Sequence, residues 1–226
     1  MVFSLFASPS GTATASKSWF SAAQSGNLEE IENGLARGVK VDARSTDHSR
    51  TALWLASASG HGSVVTRLIE ANACLDCHDI GLDNDTPLHI AAFGGCIEMA
   101  QQLVCLGASV GLPNRDGFTA LDSMQPTGTG RSLQSLLLAK VAKPPSWTPD
   151  RLVNNCQQCK LPFNRADPNM ARKHHCRHCG RCVCSPCSKT RMKIPKFGSS
   201  ADERVCLLCE RVLTTTPTVP PPPPPP

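Results

Sequence analysis

The sequence predicts an α-helical repeat solenoid followed by a small domain that its cysteines hold together. Three observations lead to this prediction. A helical pattern repeats along the first part of the chain, a proline pair interrupts it, and eight cysteines then follow as four closely spaced pairs. With 226 residues and 40% hydrophobic composition, the chain can build two modest domains. No apolar run approaches the ~20 residues of a membrane-spanning helix, so we expect any membrane contact to be peripheral.

Residues 1–17 are rich in Ser, Thr, Ala and Gly and carry almost no charge. Because this composition offers no periodic apolar face to bury, we expect a disordered tail. The apolar residues at its start are few and lack a basic flank, so they do not resemble an export signal. The cysteines are therefore expected in a reducing compartment.

Residues 18–141 repeat themselves with a period of 33 to 35 residues, which indicates stacked structural units. Thr51, Thr86 and Thr119 each open a unit, and a glycine follows nine residues after each threonine. The clearest copy, Asp83 to Asn114, carries a Thr-Pro-Leu-His start, an alanine pair and a glycine pair before its second helix. This unit resembles an ankyrin repeat, which is a β-turn followed by two antiparallel helices. The resemblance implies three to four repeats with a concave face that binds a protein partner.

Individual residues of the repeats are expected to have structural roles. Thr86 is predicted to cap the first helix of its unit, and His89 to make a structural hydrogen bond rather than bind a ligand. Trp54 stands where the family has a histidine, and we expect it to pack. The last unit, Arg115 to Val141, is predicted to have a truncated first helix, because prolines and glycines interrupt it, and a second helix over Ser132 to Lys140.

Residues 142–146 include the pair Pro144-Pro145, which stops a helix and predicts a short, stiff linker. Beyond it lie the four Cys-x-x-Cys pairs. One such turn brings two thiolates within ~4 Å of each other, and two turns complete a tetrahedral zinc site. The sequence therefore predicts two Zn²⁺ ions. A disulfide scaffold is the alternative, and it would require an oxidising compartment.

Three separated motifs accompany these cysteines: Trp-Thr-Pro-Asp at 147–150, Arg-Lys-His-His-Cys-Arg at 172–177 and Arg-Val-Cys at 204–206. With them, residues 147–213 resemble a FYVE zinc finger. The resemblance implies a small two-zinc cross-brace with short β-hairpins and a C-terminal helix. It also implies one zinc on Cys156, Cys159, Cys184 and Cys187, and the other on Cys176, Cys179, Cys206 and Cys209. A ninth cysteine, Cys182, lies outside the pattern and is expected to be a spare thiol.

The resemblance further implies that this segment binds phosphatidylinositol 3-phosphate on early endosomal membranes. A headgroup of this kind needs rigid cations for its phosphates and neutral or acidic groups for its ring hydroxyls. By resemblance, phosphates are assigned to Arg172, Lys173, Arg177 and Arg204, and ring hydroxyls to Asp150, His174 and His175. We expect the Asp150 carboxylate to disfavour lipids with further phosphates. Residues 144–213 hold thirteen Lys or Arg and five Asp or Glu, a net +8 against −3 for the other residues. This charge favours an anionic surface.

The loop between Cys159 and Arg172 departs from the family, because it is longer and lacks the usual bulky apolar pair for membrane insertion. Met170 is the large apolar residue just before the basic motif, so it is the predicted membrane contact. Leu161 and Phe163 lie nearer the zinc and are expected to pack. Insertion is therefore predicted to be shallow.

Taken together, these features predict a non-enzymatic, cytoplasmic adaptor that sits peripherally on early endosomal membranes. The alternative is a zinc-stabilised protein-interaction scaffold without specific lipid binding. A RING-type ligase is disfavoured because Cys176 and Cys179 form a plain pair, and a protein acyltransferase because its Asp-His-His-Cys motif and membrane spans are absent from the sequence. Nucleic acid is not expected as a partner, since few aromatic residues accompany the basic cluster.

Residues 214–226 form a proline-rich tail that ends in seven consecutive prolines, Pro220 to Pro226. Such a run forms a polyproline II rod, which SH3, WW, EVH1 and profilin-type domains bind because little ordering entropy remains to be lost. An inert tail is the alternative.

Overall fold

The computed structural model describes residues 17–80, 83–124, 130–164 and 166–215. The tail prediction for residues 1–16 and the polyproline prediction for Pro220–Pro226 lie outside the described residues. Lys17 was assigned to the tail, but it is the first residue of a helix.

Within the described residues, the repeats consist of helices in antiparallel pairs. In chain order they are α1 (Lys17–Ser25), α2 (Leu28–Ala36), α3 (Ala52–Ser59), α4 (Gly62–Glu70), α5 (Pro87–Phe93), α6 (Ile97–Leu106), α7 (Ala120–Ser123) and α8 (Gly130–Ala139). The first helices of the pairs pack in the order α1, α3, α5, α7, while α2 packs on α4 and α6 on α8. The helical solenoid predicted from the repeat period is confirmed.

The threonines that open the units determine where the first helices begin. The Thr51 side chain accepts a hydrogen bond from the backbone N–H of Trp54, and that of Thr86 from the backbone N–H of His89. The Nδ1 of the His89 ring in turn accepts a hydrogen bond from the backbone N–H of Thr86, which completes a capping box. Thr119 donates from both its backbone N–H and its hydroxyl to Asp122. The predicted capping role of Thr86 and the structural role of His89 are confirmed.

Aromatic residues complete the first two units. Trp19 is 1% exposed, and a Cβ placed on Gly34 of α2 would lie 2.5 Å from its ring, so only glycine lets α2 approach this closely. Trp54 is 6% exposed, with the guanidinium of Arg50 4.1 Å from the centre of its ring. The prediction that Trp54 packs is confirmed.

The last unit is short, as expected. Helix α7 has four residues, and the second helix begins at Gly130, two residues before the predicted Ser132. Buried Leu137 and Leu138 of α8 join the core of the stack.

The zinc-finger segment contains two short antiparallel hairpins and a helix. Strand β1 (His174–His175) pairs with β2 (Cys182–Val183), so that His175 lies opposite Cys182. Strand β3 (Arg191–Met192) pairs with β4 (Glu203–Arg204), so that Arg191 lies opposite Arg204. Helix α9 (Leu207–Thr215) follows and packs against α8 of the repeats.

Candidate metal centres and anion site

The eight paired cysteines come together as two clusters, and in each cluster all four sulfur atoms lie within 4.8 Å of one another. The first cluster contains Cys156, Cys159, Cys184 and Cys187, and the second contains Cys176, Cys179, Cys206 and Cys209. Each cluster joins two Cys-x-x-Cys turns from separate parts of the segment, which is the cross-brace pairing that the family resemblance implied.

The geometry of both clusters fits zinc. The sulfurs of Cys159 and Cys184 are 3.8 Å apart, and those of Cys179 and Cys206 are 3.9 Å apart. A tetrahedron with Zn–S bonds of about 2.3 Å has S–S edges of about 3.8 Å. Four thiolates and no open position are typical of a structural site, so the ions would stabilise the fold.

Hydrogen bonds to sulfur support this assignment. The backbone N–H of Cys184 donates to Cys156, and that of Cys206 donates to Cys176. The buried guanidinium of Arg181 donates to the Cys206 sulfur at 3.2 Å. Burial works against the charge of Arg181, but the surrounding thiolates outweigh it and raise its pKa well above the ordinary value. Donors of this kind hold metal ligands in place and offset their negative charge.

Cys182 belongs to neither cluster of four. Its thiol is buried beside Asp150 and His175, and burial, with the charge of Asp150, raises its pKa to about 12. Its position outside both sets of four sulfur atoms agrees with a spare cysteine rather than a zinc ligand.

Strand β1 and the start of the segment contact each other at several of the predicted headgroup residues. The Nε2 of His175 donates to the carbonyl oxygen of Thr148 at 2.9 Å and lies 3.3 Å from the Asp150 carboxylate. The His175 and Trp147 rings stack with an interplanar angle of 8°. The guanidinium of Arg177 lies 3.8 Å from the centre of the Trp147 ring. The first motif of the segment therefore contacts the second directly.

Arginines of β3 and β4 lie beside the basic motif. The backbone N–H of Arg177 donates to the carbonyl of Arg204, which joins β4 to the basic motif. Burial and the charges of Arg191 and Arg177 lower the pKa of Arg204. Burial and nearby cations, Arg204 first, also lower the pKa of His174. This concentration of like charge costs stability unless an anion shares the site.

The remaining predicted residues border the same surface. Arg172 is exposed, and its charge is one of those that act on His174. Lys173 donates from Nζ to the carbonyl oxygen of Asp150 at 2.7 Å, and His174 bonds to the Ser185 hydroxyl at 3.0 Å. The structure thus brings all seven predicted headgroup residues to one face of the zinc finger. That they bind lipid stays a prediction.

The predicted membrane contact is wrong for the structure described. Met170 is 7% exposed and belongs to the buried core, because the longer loop turns it inward: its backbone N–H donates to the carbonyl of Asp167. Leu161 was expected to pack but is 57% exposed, whereas Phe163 does pack against the core. Among the described residues, no helix has both the length and the apolarity needed to cross a bilayer.

Sequence reasoning missed two features of this site. Glu203 lies 3.6 Å from the Nε of Arg177, so a carboxylate already partners a predicted phosphate ligand. Trp147 was recognised as part of a motif, but not as the platform for Arg177. The spacing of the sequence gives no signal for either, because both contacts join distant segments.

Comparison with known families and proteins agrees with this architecture. Residues 19–122 match ankyrin repeats in three copies, and residues 146–215 match the FYVE zinc finger. The chain therefore contains ankyrin repeats followed by a FYVE zinc finger, and both cysteine clusters are consistent with the predicted pair of zinc ions.

Among curated proteins, the chain is similar to Rabankyrin-5 of Mus musculus, with 33% identity over 132 residues, which cover 58% of this chain and 10% of that protein. Rabankyrin-5 of Homo sapiens matches with the same identity and coverage. FYVE, RhoGEF and PH domain-containing protein 2 of Mus musculus is 43% identical over 70 residues, which cover 31% of this chain and 10% of that protein. The matched region thus spans a tenth of the length of these relatives.

Proposed function

We propose that this chain is a non-enzymatic adaptor that binds phosphatidylinositol 3-phosphate on early endosomal membranes through its FYVE zinc finger and a protein through its ankyrin repeats. One observation carries the lipid half of the proposal. Four cationic side chains and two histidines from separate motifs converge on one face beside two cysteine clusters. They are Arg172, Lys173, Arg177, Arg204, His174 and His175.

The charges on this face suit a phosphate ester with free hydroxyls beside it. Arg177 and Arg204 can make bidentate contacts to phosphate oxygens, and the adjacent cysteine clusters fix their backbones. The Asp150 carboxylate, which lies beside His175, offers an acceptor for ring hydroxyls. A second phosphate near Asp150 would meet a negative charge, which favours the monophosphate.

Membrane attachment would depend on charge more than on insertion. Between Asn164 and Ala171, the described residues expose no large apolar side chain. Trp147 is the apolar side chain exposed at the site itself, at 51%. A single chain is therefore expected to bind weakly, and a partner or a second copy would raise the apparent affinity.

The protein half of the proposal is supported by a cleft on the ankyrin repeats. Phe93 and Phe118 are 61% and 48% exposed there. The cleft also contains the carboxylates of Asp83, Asp85 and Asp116, together with that of Asp122, which pairs with Lys160. Exposed aromatic residues surrounded by acidic side chains suit a protein segment that combines Lys or Arg with a large apolar side chain.

The lipid half can be tested with the zinc-loaded full chain and liposomes that contain phosphatidylinositol, its 3-phosphate, its 4-phosphate or its 4,5-bisphosphate. We expect selective pelleting with the 3-phosphate, and loss of pelleting in Arg204→Ala. The matched control is Arg115→Ala, which removes the same charge from the exposed surface of the repeats. Equal pelleting with all anionic lipids would reduce the site to a basic patch. No pelleting would favour the alternative function, a zinc-stabilised protein scaffold.

The protein half can be tested by panning a random peptide library on the immobilised chain. We expect enriched peptides to pair basic residues with a large apolar residue and to lose binding in Asp116→Lys. The control Glu98→Lys makes the same charge change on the exposed surface of α6. Enrichment of acidic peptides, or equal binding by both variants, would contradict the proposed partner chemistry.

A further inference from the structure

We propose that the ankyrin repeats form part of the headgroup site, because Gly111 of the repeats positions Trp147 and His175 of the zinc finger. Gly111 lies in the loop after α6, far from the zinc finger in sequence. The expected effect on lipid affinity rests on the proposed lipid function, whereas the contacts that support the inference lie within the protein and do not depend on lipid.

Thr148 provides the first link. Its side chain is buried, and its hydroxyl donates to the carbonyl oxygen of Gly111 at 2.6 Å. Its own carbonyl oxygen accepts the hydrogen bond from His175. Because Trp147 precedes Thr148 and stacks on His175, holding Thr148 fixes both rings.

Gln157 provides a second link between the same residues. Its side-chain amide donates to the Gly111 carbonyl at 2.9 Å and accepts from the backbone N–H of Cys182 at 2.7 Å. Cys182 lies opposite His175 in the first hairpin. The Gly111 carbonyl group therefore supports His175 by two routes, one through Thr148 and the other through Gln157 and Cys182.

The backbones meet too closely for any residue but glycine at position 111. A Cβ on Gly111 would lie 2.8 Å from the backbone nitrogen of Arg181 and from the carbonyl carbon of Gly180. Backbone atoms cannot yield as the end of a flexible side chain can, so the two parts would have to separate. Lys160 and Asp122 add an ion pair of 2.6 Å across the same boundary.

The consequence is that the repeats orient the lipid-binding residues. A larger residue at position 111 would push the two backbones apart. Thr148 and Gln157 would then donate to water instead of the fixed carbonyl oxygen of residue 111, and the Trp147 and His175 rings would sample more arrangements. Positioning groups of this kind change affinity without touching the ligand.

The test is Gly111→Ala in the zinc-loaded full chain. The matched control is Gly62→Ala, where the nearest atom to the new Cβ is a Gln102 side-chain oxygen at 3.4 Å. The chain has three tryptophans, so ¹⁵N NMR gives three indole signals with internal controls. We expect the Trp147 signal to shift in Gly111→Ala while those of Trp19 and Trp54 stay in place. Affinity for vesicles with phosphatidylinositol 3-phosphate should fall about tenfold, within the usual range of coupling between sites.

A second pair of variants keeps the inference testable if Gly111→Ala does not fold. Thr148→Val removes the hydroxyl donor at nearly constant shape, and Thr148→Ser retains it. We expect the valine variant to reproduce the shift of the Trp147 signal and the loss of affinity. The serine variant should keep the original signal position and the original affinity. An unmoved Trp147 signal, or unchanged affinity with a moved signal, would overturn the inference. If the unaltered chain binds no such vesicles, the proposed lipid function fails, and the Trp147 signal alone decides the positioning role.

Discussion

Arg177 and Trp147 contact each other across the zinc finger, with the guanidinium 3.8 Å from the ring centre. Thirty residues separate them in sequence, and the contact joins the Trp-Thr-Pro-Asp motif at the start of the finger to its basic motif. A cation held over an aromatic ring keeps its charge but loses conformational freedom, so the Arg177 side chain is already oriented before a ligand binds.

Trp147→Leu should weaken binding to phosphatidylinositol 3-phosphate vesicles about fivefold, because a cation–aromatic contact at a partly exposed site contributes about 1 kcal/mol. Titration of vesicles against the zinc-loaded chain measures this. Phe93→Leu serves as control, since it alters an exposed aromatic residue in the repeats. Equal affinities for the two variants would show that the stacking does not orient Arg177.

Glu203→Gln should strengthen vesicle binding about two- to threefold, because the carboxylate that competes with phosphate for Arg177 forms an exposed ion pair of modest strength. Asp202→Asn makes the same charge change at the neighbouring exposed residue and should have a smaller effect. If both variants gain equally, the effect comes from net charge and not from release of Arg177.

Asp150→Asn should reduce discrimination between lipids. Its carboxylate lies 3.3 Å from the Nε2 of His175, where a further phosphate on the ring would be repelled. We expect the ratio of binding to the 3-phosphate over the 4,5-bisphosphate to fall, as measured by co-sedimentation. The control Asp116→Asn removes a carboxylate from the repeats and should leave this ratio unchanged.

Zinc content should distinguish ligands from the spare thiol. Elemental analysis is expected to give two zinc ions per chain for Cys182→Ala, and fewer for Cys184→Ala, because the second variant opens a closed four-thiolate site. Removal of zinc by a chelator should unfold the finger while the helices of the repeats persist in circular dichroism. Loss of zinc in Cys182→Ala would show that this cysteine is a ligand.

The repeats should lose stability as the pH falls below the ordinary pKa of histidine, about 6.5. Burial lowers the pKa of His89, and its Nδ1 accepts from the Thr86 backbone while Nε2 donates to the Phe118 carbonyl. The unfolded chain therefore binds the proton more readily, so stability decreases from the unfolded pKa down to the lowered folded pKa.

Urea unfolding at pH 7.5 and pH 5.5 measures this dependence. His89→Gln keeps a capping-box side chain that does not titrate, so its stability should change less between the two conditions. A parallel change in both proteins would assign the pH effect to other groups.

The repeats, the four cysteine pairs and the basic motif could be predicted from the sequence because each depends on local spacing. Thr86 and His89 are three residues apart, so one helical turn suffices to bring them together. A Cys-x-x-Cys pair likewise needs only a tight turn to present both sulfurs to one ion. These patterns do not depend on how distant parts of the chain meet.

Contacts between distant segments were decided by the tertiary structure. The exposure of Met170 and Leu161 depended on how a loop of unusual length folds back. Met170 is buried and Leu161 is exposed, the reverse of what was expected. The partner of Arg177 came from strand β4, and the support for Thr148 came from a glycine in the repeats. Hydrophobicity and charge are properties of single residues, whereas burial and pairing depend on which surfaces pack together, and only the folded chain fixes that.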